Sequence, residues 1–289
     1  MSVQGSLSDR ARFVTRDELA YELENEIIVG RQPVGSKLPS ERQLSERYGV
    51  SRPVVREALR SLVERRLVEV HPGRGAFVRD AQSSDAASQM SVFFRRKQVT
   101  ARNLVEARSM LECTAASLAA VRAESDDLDH MALALAELEC SVDVVDQVQW
   151  DLSFHYVVTR ASRNPVVESM FAAVVQPMVE LMLRSLIDPD VRQEALGLHH
   201  EIVEAITARD SGRARDAMGR HIGVAEHFYG EDLDRSVESV ARRELARRLA
   251  PSVTLEDVLD RAIAGTGLLV NNRGNRDALR RERPQHEGN

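Results

Sequence analysis

The sequence is short of several things that usually advertise function. Aromatic residues make up 4% of the 289 positions, with a single Trp, which excludes rows of rings for stacking bases or sugars. Cysteine occurs twice, as Cys113 and Cys140, and no CxxC pair exists. Two isolated thiols exclude a disulfide framework and a cysteine-built zinc site, and they suit a reducing compartment. Long apolar runs are missing: the longest, Met170 to Val175, has six residues. A bilayer span needs about 18 or more, so no membrane segment is expected. The opening MSVQGSLSDR lacks the apolar core of a secretory signal, and the expected location is the cytoplasm, in association with the nucleoid. Lysine is nearly absent as well, at Lys37 and Lys97 against 37 arginines; this reads as codon bias rather than chemistry.

What is present is ordinary for a globular chain. Hydrophobic residues reach 43% and charged residues 29%, enough to bury a core in each of two domains of the usual size. The net charge of −6 argues against a protein coated in nucleic acid. The charge is uneven, however: residues 1–82 carry a balance of +2 and the rest −8, and +4 is concentrated in positions 40–79. A small basic segment on an acidic body is the form that a local phosphate-contacting surface takes.

Residues 15–29 place Leu19, Leu23, Ile27 and Ile28 on a helical stripe, with Thr15 as N-cap and Glu18 three residues on. GRQPVGSKLP breaks that helix. Ser40 opens a second, short helix ended by Gly49. Ser51 opens a third, with Pro53 in its first turn, where Pro is tolerated. LVEV and AFVR then flank His71-Pro72-Gly73-Arg74-Gly75 as a hairpin. Three helices followed by a two-stranded wing make a winged helix-turn-helix. The small polar stretch from about 81 to 98 reads as a linker. From 99 to 231 the pattern is helical throughout, with segments near 101–122, 126–147, 149–162, 164–187, 190–209 and 211–229. The expected fold is therefore mainly α: a winged helix over 1–80 and an all-α antiparallel bundle of six or seven helices over 99–231. Residues 232–289 form an extension with helical stretches at 235–249 and 254–263, ending in a polar segment of disordered character.

In the third helix Arg52, Arg56 and Arg60 recur every four residues, opposite Val55, Ala58, Leu59 and Leu62. One face is buried, and the other offers guanidinium groups that can take guanine O6 and N7 or a phosphate. Ser51 can place a hydroxyl and helix N–H groups against phosphate. The run LPSERQLSERYGVSRPVVREALRSLVERRLVEVHPGRGAFV closely resembles the N-terminal winged helix of GntR-family bacterial transcription regulators, over residues 16–79. The resemblance implies that Arg42, Ser51, Arg52, Arg56 and Gly73 match DNA-contacting positions, with the wing entering the minor groove. One position departs from the pattern: Arg66 stands where such domains usually place Gly. The junction between recognition helix and wing is therefore expected to differ in shape, since a left-handed cap costs a non-Gly residue about 1 kcal/mol.

In the helical region Asp151 and His155 are four apart and share a helix face near Phe154, Val158 and Ala161. His199 lies on a stripe with Leu196, Val203 and Ile206, and His221 on one with Ala214, Met218 and Ala225. A lone histidine on such a stripe is usually a satisfied core residue. Three with an Asp, all turned into one bundle, are hard to satisfy without a metal, and the donor set suits zinc first, then nickel, manganese or iron(II). Asp151-Leu152-Ser153-Phe154-His155, Ala161-Ser162-Arg163-Asn164-Pro165, His199-His200-Glu201-Ile202 and Met218-Gly219-Arg220-His221 resemble the FCD ligand-binding domain of the FadR subfamily, over roughly 85–230. The resemblance implies that Asp151, His155, His199 and His221 hold a divalent cation. Arg108 sits on a stripe with Leu104, Leu111, Ala115 and Leu118, where an unpaired charge is costly. It is either an ion pair with Glu112 or Asp151, or a fork for the carboxylate of an effector.

The expected function is a sequence-specific, homodimeric, DNA-binding transcription regulator, with repression as the default. It would bind palindromic half-sites on double-stranded DNA and answer to a small carboxylate effector held at the metal site. The alternatives are a metal-dependent enzyme using the Asp/His3 set and an acyl-CoA-responsive regulator. The polar donor set disfavours the second.

Overall fold

The computed structural model describes residues 15–80, 84–248 and 254–266. Its described residues form twelve α-helices and one two-stranded sheet, in two compact units, Met1–Ala81 and Gln82–Asn289.

In the first unit, α1 (Arg16–Ile28), α2 (Glu41–Tyr48) and α3 (Arg52–Glu64) are followed by β1 (Val68–His71) and β2 (Gly75–Val78). The starts of α1 and α2 are set by reciprocal caps. The Glu18 backbone N–H donates to Thr15 Oγ1 and the Thr15 N–H to Glu18 Oε2; Ser40 and Gln43 repeat the arrangement. Gly49, at φ +66°, closes α2. Leu19, Leu23, Leu44, Val55, Leu62, Val68 and Val78 fill one core between the helices and the hairpin. The strands pair antiparallel, with Val68 opposite Val78 and His71 opposite Gly75. Residues 35–38 run along the free edge of β2: the Leu38 N–H donates to Ala76 O at 2.8 Å and the Val78 N–H to Ser36 O at 2.9 Å. The junction between α3 and the wing corrects one expectation. Arg66 adopts φ +60°, so the left-handed geometry is kept although an L-residue must bear its strain.

In the second unit, α5 (Ala101–Arg122), α6 (Ser125–Cys140), α7 (Val144–Ala161), α8 (Pro165–Leu186), α9 (Pro189–Thr207) and α10 (Ser211–Tyr229) form the bundle. Neighbours such as α9 and α10, joined by three residues and packed along each other, must run antiparallel. The break between α6 and α7 falls at 141–143, earlier than the sequence pattern suggested. Asp143 decides it, its Oδ1 accepting from the Val145 N–H at 3.2 Å. α8 is apolar and long enough to cross a bilayer by composition alone, but most of it is buried inside the bundle.

Two segments differ from expectation. Residues 81–98, read as a linker, are mostly helix α4 (Ser84–Lys97), which packs on α8. Its composition is small and polar, so only that packing partner reveals it. Beyond residue 231 the two expected helical stretches form, as α11 (Val237–Arg248) and α12 (Leu255–Gly265); what differs is that they supply Ala241, Leu245, Leu255, Val258 and Ala262 to a core shared with α7 and α8. The last stretch, 267–289, lies outside the described residues. α7 sits between two cores. Twelve of its eighteen residues are buried, with Phe154 and Val158 in the core toward α5, α9 and α10, and Val148 and Leu152 in the core toward α8 and α12.

Candidate DNA-reading helix and metal centre

On α3 the residues Arg52, Arg56 and Arg60 are exposed, while Val55, Ala58, Leu59 and Leu62 are buried. Arg56 is held by α2: its Nε and Nη2 donate to Glu41 Oε1 and Oε2 at 3.2 and 3.1 Å. That bond and the Arg56 charge hold the Glu41 carboxyl below its ordinary range. Arg42, on α2, donates to Glu46 Oε1 at 2.9 Å. Exposed pairs of this kind are worth about 0–1 kcal/mol, so phosphate or a guanine edge can displace the carboxylates. Ser51 is the N-cap of α3 but its hydroxyl makes no capping bond, which leaves hydroxyl and first-turn N–H groups available to an anion. Gly73 is carried separately, on the hairpin turn, at φ +72° with open space around its Cα.

The second constellation is buried. α7 supplies Asp151 and His155, α9 His199, and α10 His221, and one donor atom from each lies within 4.8 Å of the others. His199 Nε2 is 3.1 Å from Asp151 Oδ1, His221 Nε2 is 3.1 Å from His155 Nε2, and His155 Nε2 is 3.9 Å from Asp151 Oδ1. Burial pushes both His199 and His221 below the ordinary imidazole range. For His221 the charges of His199, His155 and Arg108 add to that. These rings are therefore neutral at pH 7, with lone pairs free to coordinate. Asp151 stays ionised: burial works against its charge, but the contact with His199 outweighs it. Asp151 Oδ1 and both ring nitrogens of His199 are buried without an aligned hydrogen bond. Unsatisfied polar atoms that converge with two further imidazoles fit a cation at their centre. His200, the neighbouring imidazole in sequence, is exposed and contacts Glu139 at 2.5 Å, so it is excluded from the set.

Arg108, 3% exposed, donates through Nε to Glu112 Oε1 at 2.6 Å, and its Nη2 lies 3.4 Å from His155 Nε2. Of the two readings of Arg108, the pair with Glu112 is the one present. Glu112 also touches His155 Nδ1. Burial alone would raise the Glu112 carboxyl, yet Arg108 and His155 bring it down to about 2. A carboxylate at Nδ1 holds the ring so that Nε2 faces the other donors, an orienting role familiar around metal-bound imidazoles. Sequence reasoning named Glu112 only as a partner of Arg108. The i, i+4 spacing on α5 puts Glu112 on the buried Arg108 face, but nothing in the sequence points from there to His155. Arg108, Asp151 and His221 also border a cavity of about 30 Å3, closed by Leu181, Met182, Leu186, Val191 and Val224.

A winged helix with an arginine-lined recognition helix, joined in one chain to a helical domain with a buried donor cluster, defines a class: a DNA-binding regulator that senses a small molecule. Comparison with known proteins agrees. Residues 15–78 match bacterial regulatory proteins of the gntR family, and residues 103–224 match the FCD domain. The chain is 32% identical to the Uxu operon transcriptional regulator of Escherichia coli, over 65% of this chain and 76% of that protein. It is 32% identical to the putative L-lactate dehydrogenase operon regulatory protein of the same species, over 81% and 92%. Among solved structures, Streptococcus agalactiae GntR is similar at 28% identity and a TM-score of 0.59, over 74% of this chain and 99% of that one. The chain belongs to the GntR family: it is a DNA-binding transcription regulator with an FCD effector domain, not an enzyme.

Proposed function

We propose that this regulator is a homodimeric, cytoplasmic repressor whose hold on a palindromic operator is released by a small carboxylate bound at a divalent metal. Asp151, His155, His199 and His221 hold the ion, with zinc the first choice and nickel, manganese or iron(II) also suited to the donors. Arg52 and Arg56 read base edges, Arg42 and Ser51 hold phosphate, and Gly73 lets the wing approach the minor groove. The observation that carries the metal is the set of four buried donors within 4.8 Å, of which Asp151 Oδ1 and the His199 ring nitrogens lack aligned partners. A relative named for an L-lactate dehydrogenase operon supports a small acid as effector. The cavity beside the donors, about 30 Å3, has no room for an acyl chain.

The same number bears on mechanism. That volume accepts about one water, so an acid that reaches both metal and Arg108 must part α8 from α9 and α10 or draw Arg108 away from Glu112. Ligand binding is thereby coupled to helix movement, and a tenfold change in operator affinity needs only ~1.4 kcal/mol of differential binding. The test is metal analysis of the purified protein, followed by titration of its operator complex with candidate acids. A metal-free protein that still releases DNA on ligand addition would return the histidines to the core.

A further inference from the structure

A second cavity, of about 260 Å3, opens between α4, α8 and α11, and none of its lining residues is shared with the cavity at Asp151. Both α4 and α11 lie outside the two family matches, which cover 15–78 and 103–224. This cavity is therefore built largely from segments outside those two matches, closed against one bundle helix.

Glu180 of α8 lines it, buried to 3% exposure. Among the described residues no arginine, lysine or histidine forms an ion pair with that carboxylate. Its hydrogen-bond partner is Gln176, one turn earlier, and Gln176 in turn accepts from the Ser91 hydroxyl of α4. The two cations at the rim are already engaged: Arg95 Nη2 is 3.3 Å from Glu238, while Arg242 Nη2 is 3.0 Å from Glu238 and 2.7 Å from Glu256. An incoming anion would have to break those pairs and face Glu180 as well. Burial, with the Glu238 charge added, lifts the Glu180 carboxyl to about 7 against the opposing Arg95 and Arg242, as expected of an acid that lacks a counter-charge. Phe94, Val99, Pro177 and Val237 supply the apolar part of the wall, beside Gln98, Ser236 and Ser239.

We propose that this cavity is a second ligand site, for a small organic ammonium compound whose –NH3+ pairs with Glu180 while its carbon chain lies against Phe94, Pro177 and Val237. Such a ligand ties α11 and α8 to α4, the helix that starts at Ser84 directly after the winged-helix unit ends at Ala81. It acts independently of the histidine cluster.

The test is calorimetric titration of the full-length protein with n-butylammonium, and with n-butyrate as the chain-matched anion. Saturable binding of one butylammonium per chain is expected, with none of butyrate. Glu180→Gln should weaken the amine at least tenfold, ~1.4 kcal/mol. Ser239→Trp, which narrows the mouth and leaves Glu180 in place, should do the same. Both variants should keep the wild-type helix content by far-ultraviolet circular dichroism, which verifies their folding. Equal binding of butyrate, unchanged amine affinity in either variant, or no saturable amine binding to wild type in the tens of millimolar would each overturn the proposal.

Discussion

Arg108 and Glu112, one turn apart on α5 and both almost wholly buried, hold each other through a 2.6 Å contact from Nε to Oε1. Neither charge can reach water, so each depends on the other, and Glu112 passes that dependence on to His155. Removing one partner strands the other, whereas removing both takes the two charges away together. Arg108→Ala and Glu112→Ala should therefore each cost about 3–5 kcal/mol of stability, while the double variant Arg108→Met/Glu112→Leu stays close to wild type. Urea denaturation of the three variants checks this. Single variants within about 1 kcal/mol of wild type would mean that the pair is solvated and weak.

The metal prediction separates ligands from their support. Purified protein should carry one divalent ion per chain, and His155→Ala or His221→Ala should lose it. Glu112→Gln should keep the site but lower metal affinity about 10–100-fold. Elemental analysis and competition with a chelator decide between these outcomes. The pH sense follows from His199 and His221, whose folded-state values lie below the ordinary 6.5. The unfolded chain then binds more protons than the folded one as pH drops under about 6.5, so metal-free stability falls with acidification in that range and is flat above it. Metal affinity falls over the same interval as protons compete for the imidazoles.

At the DNA surface, Arg52→Ala or Arg56→Ala should each cost about 1–3 kcal/mol of specific operator binding without disturbing the fold. Glu41→Ala should act in the opposite sense, because it frees Arg56 from the carboxylate that now engages both its Nε and Nη2. Electrophoretic titrations at several salt concentrations give both affinity and the number of ion contacts. An operator affinity unaffected by either arginine would place the reading helix elsewhere.

Glu180 offers a separate pH signature. Its carboxyl titrates near 7 in the folded protein against an ordinary 4.5, so the folded state binds the extra proton between those values. Stability therefore falls as pH rises through that window and is flat above it. Glu180→Gln should remove that slope and stabilise the protein at pH 8 by up to about 3 kcal/mol. Denaturation midpoints of wild type and variant at pH 5 and pH 8 provide the check. Equal gains at both pH values would show that Glu180 is not the titrating group.

Much of this was legible in the residues. Thr15 with Glu18, and Ser40 with Gln43, mark helix starts because the capping bonds are local, and i, i+4 spacing alone put Asp151 and His155 on one face. His199 was separable from His200 because Ile202 and Ala205 follow it by three and six residues, the spacing of the motif it resembles. What stayed hidden depends on partners distant in sequence. α4 exists by packing on α8, and α11 and α12 are core elements because α7 and α8 have apolar faces left over. Glu112 could be matched to Arg108 by spacing but not to His155, 43 residues away. Arg66 is a different case: only the rest of the junction can tell whether a non-Gly residue will accept φ +60°.

The position of α7 between two cores has a mechanical consequence. A helix gripped on both flanks has little freedom to slide or roll, so Asp151 and His155 form a fixed jaw. The other jaw, His199 and His221, rides on the α9–α10 hairpin, which packs chiefly on α5. An ion bound there would be a rivet between the post of α7 and the arm formed by α9 and α10. Extracting it should loosen the arm first, and amide exchange and protease nicking should begin around Ala208-Arg209-Asp210, at the elbow, while α7 remains protected.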